Sequence, residues 1–157
     1  MEDADIEIKR LQNELQIYHA KVKVGTGSLL QSGGEQDLYP NEVLSIVRQA
    51  IDEASRNQTP DSRRVHVLNA VLNASPKPED IAAEMREKLK QLLRGFRGMD
   101  STIRRGLEEM GFSISEDGKH YKLVFQHDDR YTFTLPKSGS DHRGGLNAAT
   151  KIGKLLF

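Results

Sequence analysis

The first 24 residues carry apolar side chains at the spacing of an amphipathic helix. One seam, at intervals of three and four residues, comprises Ile8, Leu11, Leu15, Tyr18 and Val22. These intervals are the a/d pattern of a coiled coil, although only about two heptads are present. We therefore expect residues 1–24 to form a helix that either packs on its own domain or self-associates. Glycine and serine then predict a flexible linker over residues 25–37, which lacks the Lys-Ser/Thr ending of a phosphate loop.

Three further helices are predicted between residues 38 and 98. The first follows Pro40, the second is capped by Asp61 or Ser62, and the third starts at Glu79 and Asp80. Their apolar stripes are Val43, Leu44, Val47 and Ile51; Val65, Leu68, Val71 and Leu72; and Ile81, Met85, Leu89, Leu92 and Leu93. The third helix also has a basic face of Arg86, Lys88, Lys90, Arg94 and Arg97. Such a face is either solvated surface or an RNA contact.

The pattern changes from residue 99 to residue 157. A helix capped by Asp100 or Ser101 ends at Gly111, and short alternating strands follow, joined by an Asp117-Gly118 turn and by residues 127–130. A final helix is expected over 147–156, where Ile152, Leu155 and Leu156 are available to pack. The order α-β-β-β-α predicts an antiparallel meander with both helices on one face, and hence an α+β fold for the chain.

Composition narrows the classes of function. The 157 residues include no cysteine, which excludes disulfide scaffolds, thiolate zinc sites and cysteine catalysis. No apolar run is long enough to span a membrane, and the acidic N-terminus lacks the apolar core of a signal peptide, so we expect a cytoplasmic protein. The net charge of zero conceals an acidic front, since residues 1–60 carry ten acidic and six basic side chains. The remaining residues are mildly basic.

Residues 99–157 are called the rear module below. Two of its segments contain more reactive and charged groups than a loop requires. One is the hairpin with Lys119, His120 and Lys122, and the other precedes the last helix and contains Lys137, Ser138, Ser140, Arg143 and Asn147. A helix N-terminus attracts anions, so the four cations are expected to hold phosphates of a nucleic-acid backbone. The serines would donate hydrogen bonds, and Asn147 would cap the helix or contact a sugar.

Each of these residues also has a purely structural interpretation. His120 beside a turn is most often a surface histidine, Asp141 can form an Asx-turn, and Gly144-Gly145 can be a loop that needs positive φ. A zinc site built from His120, His127, His142 and Asp141 lacks the usual helical His spacing. We therefore expect no metal ion and no cofactor.

The rear module resembles the HicA-type mRNA interferases, whose small fold is similar to that of double-stranded-RNA-binding domains. The residues that carry this resemblance are Leu107–Phe112, Gly118–Leu123 and Thr132–Pro136, followed by a polar loop and a closing helix. In that family a Gly-x-His on the second strand holds the catalytic histidine, which implies that His120 is a general acid or base in RNA cleavage. The family's second histidine is replaced here by Tyr121, and the histidine after the strand-ending proline by Lys137 and Ser138.

Three hypotheses of function follow. The first is binding of nucleic acid, preferably RNA, through the hairpin and the loop before the last helix. The second is a metal-independent ribonuclease that uses His120. The third is an interaction subunit of a bacterial assembly that associates with itself or with a protein partner through the N-terminal helix.

Overall fold

A computed structural model describes residues 8, 11–16, 30–31, 33–138 and 143–157. The chain divides into two compact units, Met1–Gln36 and Asp37–Phe157. In the first unit residues 8 and 11–16 are helical, and the side chains of Ile8, Leu11 and Leu15 are exposed. The other two residues of the predicted seam, Tyr18 and Val22, lie outside the described residues.

The second unit is an α+β structure, as the sequence predicts. Its helices are α1 (Glu42–Arg56), α2 (Arg63–Ala74), α3 (Ile81–Leu93), α4 (Ser101–Glu109) and α5 (Gly144–Leu156). Its strands are β1 (Phe112–Asp117), β2 (His120–Phe125) and β3 (Thr132–Pro136), with a short 3-10 turn at Asp129–Tyr131. Within the described part of the chain, no helix has both the length and the apolar content needed to cross a bilayer.

The three strands form an antiparallel meander in the order β1-β2-β3. The register places Ile114, Leu123 and Phe133 side by side on one face, where α4 and α5 cover them. Alternate residues along each strand point to opposite sides, and the polar ones lie on the other, open face, which none of the described helices covers. Its exposed residues are Ser115, Asp117, His120, Thr132 and Thr134.

The hydrophobic core extends beyond residues 99–157. Leu89 and Leu93 of α3 are fully buried in the same core as Leu107, Leu123 and Leu135. Tyr39 also belongs to this core, where its ring contacts Phe157 edge to face at 5.6 Å. Helix α3 is therefore a third helix packed on the module, against both α4 and α5.

Local signals set most helix ends. The side chains of Ser62 and Asp100 accept hydrogen bonds from the first turns of α2 and α4, which confirms these residues as caps. Asp80, where a helix start is expected, also caps α3, because its side chain accepts from the backbone N–H of Ala83. Gly111, at φ 101°, ends α4 in the left-handed conformation that favours glycine.

The start of α5 differs from the prediction. The helix begins at Gly144, three residues before Asn147, so the expectation that Asn147 caps it is wrong. Gly144 and Gly145 are helical, and neither has a positive φ. Gly145 is needed for close packing instead, because a Cβ there would lie 2.6 Å from Cβ of Phe96 and would also clash with the carbonyl oxygen of Leu93. In the last turn Leu155 is exposed, while Ile152 and Leu156 are buried as expected.

Helices α1 and α2 pack chiefly against each other. Neither contains a fully buried apolar side chain, and Ser55 is the buried residue of α1. Two of the four apolar residues predicted for the inner face of α1, Val43 and Val47, are exposed to solvent. The other two, Leu44 and Ile51, are half-buried on the side of Arg48 and Ser55, so the predicted apolar face is buried only in part.

Candidate nucleic-acid interface

Four segments that are distant in sequence meet at one end of the sheet. The backbone N–H of Lys137 donates to the carbonyl of Lys119 at 3.0 Å, which joins the end of β3 to the hairpin tip. A Cβ on Gly98 would lie 3.5 Å from the Lys137 carbonyl oxygen, so the chain after α3 runs beside this point. The close approach of Gly145 to Phe96 brings in the start of α5.

We call the four cations on these segments the basic end: Arg97, Lys119, Lys137 and Arg143. The sequence predicts the last three as site residues and places Arg97 only on the basic face of the third helix. The structure ends α3 at Leu93, so Arg97 follows the helix; it is exposed and has no ion pair with any residue that the structure describes. No local pattern could have identified Arg97 as a neighbour of Lys137. Their proximity depends on Phe96 being buried against α5 and on Gly98 leaving room beside β3.

Lys137 of the basic end is already paired with a carboxylate. Nζ of Lys137 donates to Oε2 of Glu116 at 2.6 Å, from the end of β3 across β2 to β1. The same ammonium lies 5.6 Å from the centre of the Tyr121 ring. The hydrogen bond and the charge of Lys137 lower the pKa of the Glu116 carboxyl below its usual value. Glu116 therefore stays ionised and competes with any phosphate for Lys137.

His120 and Lys122 lie on the open face of the sheet. In the register His120 stands opposite Asp117 on one side and Pro136 on the other, so it lies next to the basic end. Its imidazole is exposed and has no hydrogen-bond partner among the described residues. Lys122 is half-buried, with Nζ 3.8 Å from Oδ1 of Asp129. An imidazole and an ammonium thus face solvent among the hydroxyls of Ser115, Thr132 and Thr134.

The remaining predicted residues surround the start of α5. Arg143 occupies the N-cap position and its side chain makes no capping hydrogen bond. Ser138 is exposed after β3, and Asn147 is exposed in the first turns of α5. Ser140, Asp141 and His142 lie outside the described residues. The N-terminal end of a helix carries partial positive charge, which adds to the field of the nearby cations.

The described residues contain no group of three or more His, Asp or Glu side chains placed to bind a metal ion. No family model, curated protein or solved structure matches the chain.

Proposed function

We propose that the chain binds nucleic acid, with RNA preferred, through the basic end and the adjoining open face of the sheet. The observation that supports this is that the segments carrying Arg97, Lys119, Lys137 and Arg143 meet near the start of α5. In the proposal these cations and the helix N-terminus hold backbone phosphates. His120 and Lys122 contact the sugar-phosphate backbone from the sheet face.

The composition of this surface favours recognition of a duplex by shape. The open face of the sheet has no Phe, Tyr or Trp side chain on which single-stranded bases would stack. Hydroxyls and cations suit instead the phosphates and 2′-hydroxyls of an A-form helix. The likeness of the module to HicA-type proteins and double-stranded-RNA-binding domains is part of this proposal.

The test is binding of labelled duplex RNA, duplex DNA and single-stranded RNA by the full chain at two salt concentrations. We expect salt-sensitive binding that is tightest for duplex RNA. The double variant Arg97→Glu/Arg143→Glu should weaken it by about tenfold for each charge reversed, and should reduce the slope of log K against log salt by about one per lost phosphate contact.

The matched control is Lys151→Glu/Lys154→Glu, which makes the same change of charge in the last turns of α5, with Lys154 about 16 Å along the helix axis from Arg143. If both double variants lose the same affinity, the effect is one of net charge and the basic end is not the site. Glu116→Gln should act in the opposite direction and tighten binding, because it removes the carboxylate that neutralises Lys137. Absence of binding at low salt would contradict the proposal as a whole.

A second candidate is metal-independent cleavage of RNA by His120. It is favoured by the register, which sets the carboxylate of Asp117 directly opposite the imidazole, where it could orient the ring. His120→Gln should then abolish cleavage and leave binding largely unchanged. Intact RNA after prolonged incubation of the wild-type chain without metal would exclude this activity and leave the binding proposal standing.

A further inference from the structure

Helices α3 and α5 lie side by side and run in opposite directions. The start of α5 approaches the end of α3, where Gly145 lies beside the Leu93 carbonyl and Phe96. In the last turns of α5, a Cβ on Gly153 would meet Cγ of Arg86 at 3.3 Å. Residue 86 lies near the start of α3, so these two contacts define the side of α3 that faces α5.

Two exposed cations lie along this side of α3, between the two contacts. Lys90 follows Arg86 by one helical turn and Arg94 follows Lys90 by another, so the three side chains share one edge of the helix. Arg94 directly follows Leu93, whose carbonyl approaches the start of α5. We call Lys90 and Arg94 the α3 ridge. It leads along the chain to Arg97 of the basic end.

Neither cation of the α3 ridge has an ion pair among the residues that the structure describes. On the side of the same helix that faces α4, by contrast, Nζ of Lys88 lies 3.8 Å from Oε2 of Glu109. The carboxylate nearest to the ridge along the chain is that of Glu87, which accepts a hydrogen bond from Gln91 at 3.2 Å. The ridge therefore presents two positive charges to solvent beside the start of α5.

We propose that the α3 ridge is a second phosphate-binding segment, along which a duplex RNA held at the basic end continues over α3. This inference rests on the proposed function and extends its surface onto the helices. Two cations about 6 Å apart, continuous with Arg97, complement the closely spaced charges of a nucleic-acid backbone. The segment ends before Arg86, because that side chain lines a cleft with the carboxylates of Glu79 and Asp80, which offset its charge.

The first test is binding of labelled duplex RNA by the full chain carrying Lys90→Gln/Arg94→Gln. We expect binding about tenfold weaker than that of the wild type, or about threefold for each charge removed, and a slope of log K against log salt reduced by about two. The matched control Arg63→Gln/Arg64→Gln removes two exposed charges at the start of α2 and should change neither value. Equal affinities of the two variants would overturn the proposal.

The second test locates the RNA independently of affinity, and the lack of cysteine in the chain allows a single label. A photoreactive group on Lys90→Cys should cross-link to bound duplex RNA several times more than the same group on Lys88→Cys, on the α4 side of the helix. A label on Ser138→Cys, exposed after β3, reports on the basic end. Strong cross-linking at residue 138, with residue 90 no higher than residue 88, would overturn the ridge and leave the proposed function standing. A wild-type chain that does not bind duplex RNA would remove both.

Discussion

The close approach of α5 to the end of α3 allows a sharp comparison between two glycines of one helix. In Gly145→Ala the new Cβ would lie 2.6 Å from Cβ of Phe96 and would also clash with the Leu93 carbonyl. Ordinary carbon–carbon contacts lie at about 3.5–4.0 Å, so the two segments must separate by about 1 Å. Phe96 is only 2% exposed and Leu93 is fully buried, so neither can move without disturbing the core.

The expected change in the free energy of unfolding of Gly145→Ala is the balance of two opposing effects. Overpacking of this kind destabilises the fold by about 1–3 kcal/mol, whereas the higher helix propensity of alanine stabilises it by up to about 1 kcal/mol. At Gly153 the new Cβ would meet Cγ of Arg86 at 3.3 Å, and that side chain is exposed and flexible. Gly153→Ala should therefore be neutral or stabilising. We expect the two variants to differ by about 2 kcal/mol in the free energy of unfolding.

The assay is thermal and urea unfolding of both variants, followed by circular dichroism. At about 4 °C per kcal/mol for a unit of this size, the Tm of Gly145→Ala should lie about 8 °C below that of Gly153→Ala. Equal stabilities would show that α5 does not approach α3 as closely as described, and a less stable Gly153→Ala would reverse the argument. Because Gly145 also brings the start of α5 to Arg97, Gly145→Ala should weaken RNA binding as well.

Two ionisable groups give predictions with opposite dependence on pH. Lys137 lowers the pKa of Glu116, so this carboxylate contributes stability above its ordinary pKa of 4.5 that is lost as the pH falls through the lowered value. The difference in unfolding free energy between wild type and Glu116→Gln should be constant near neutral pH and vanish in acid; a constant difference down to pH about 2 would contradict the ion pair. Burial, followed by the charge of Glu42, raises the pKa of Tyr39 above 10.0. Wild-type stability should therefore be lost as the pH rises through that raised value, and Tyr39→Phe should lose less in urea titrations at alkaline pH.

Much of the second unit was predictable because its signals are local. A side chain caps a helix through the N–H groups two or three residues ahead, which is why the caps Ser62 and Asp100 could be recognised from sequence. The Asp117-Gly118 turn and the alternation of β3 depend likewise on neighbouring residues. The α+β class and the meander follow from the order of these elements.

Only the tertiary structure decided which helix faces are buried and which residues that are distant in sequence become neighbours. Periodicity shows that α1 has an apolar face, but α2 decides which of its residues are buried: Leu44 and Ile51 are half-buried beside Arg48, whereas Val43 and Val47 are exposed. In the same way, the pattern around Gly145 suggests a loop, whereas its real constraint is the proximity of Phe96, 49 residues earlier in the chain. Arg97 joins the basic end through that same contact. Local sequence therefore determined which elements form, and long-range packing determined which of their residues meet.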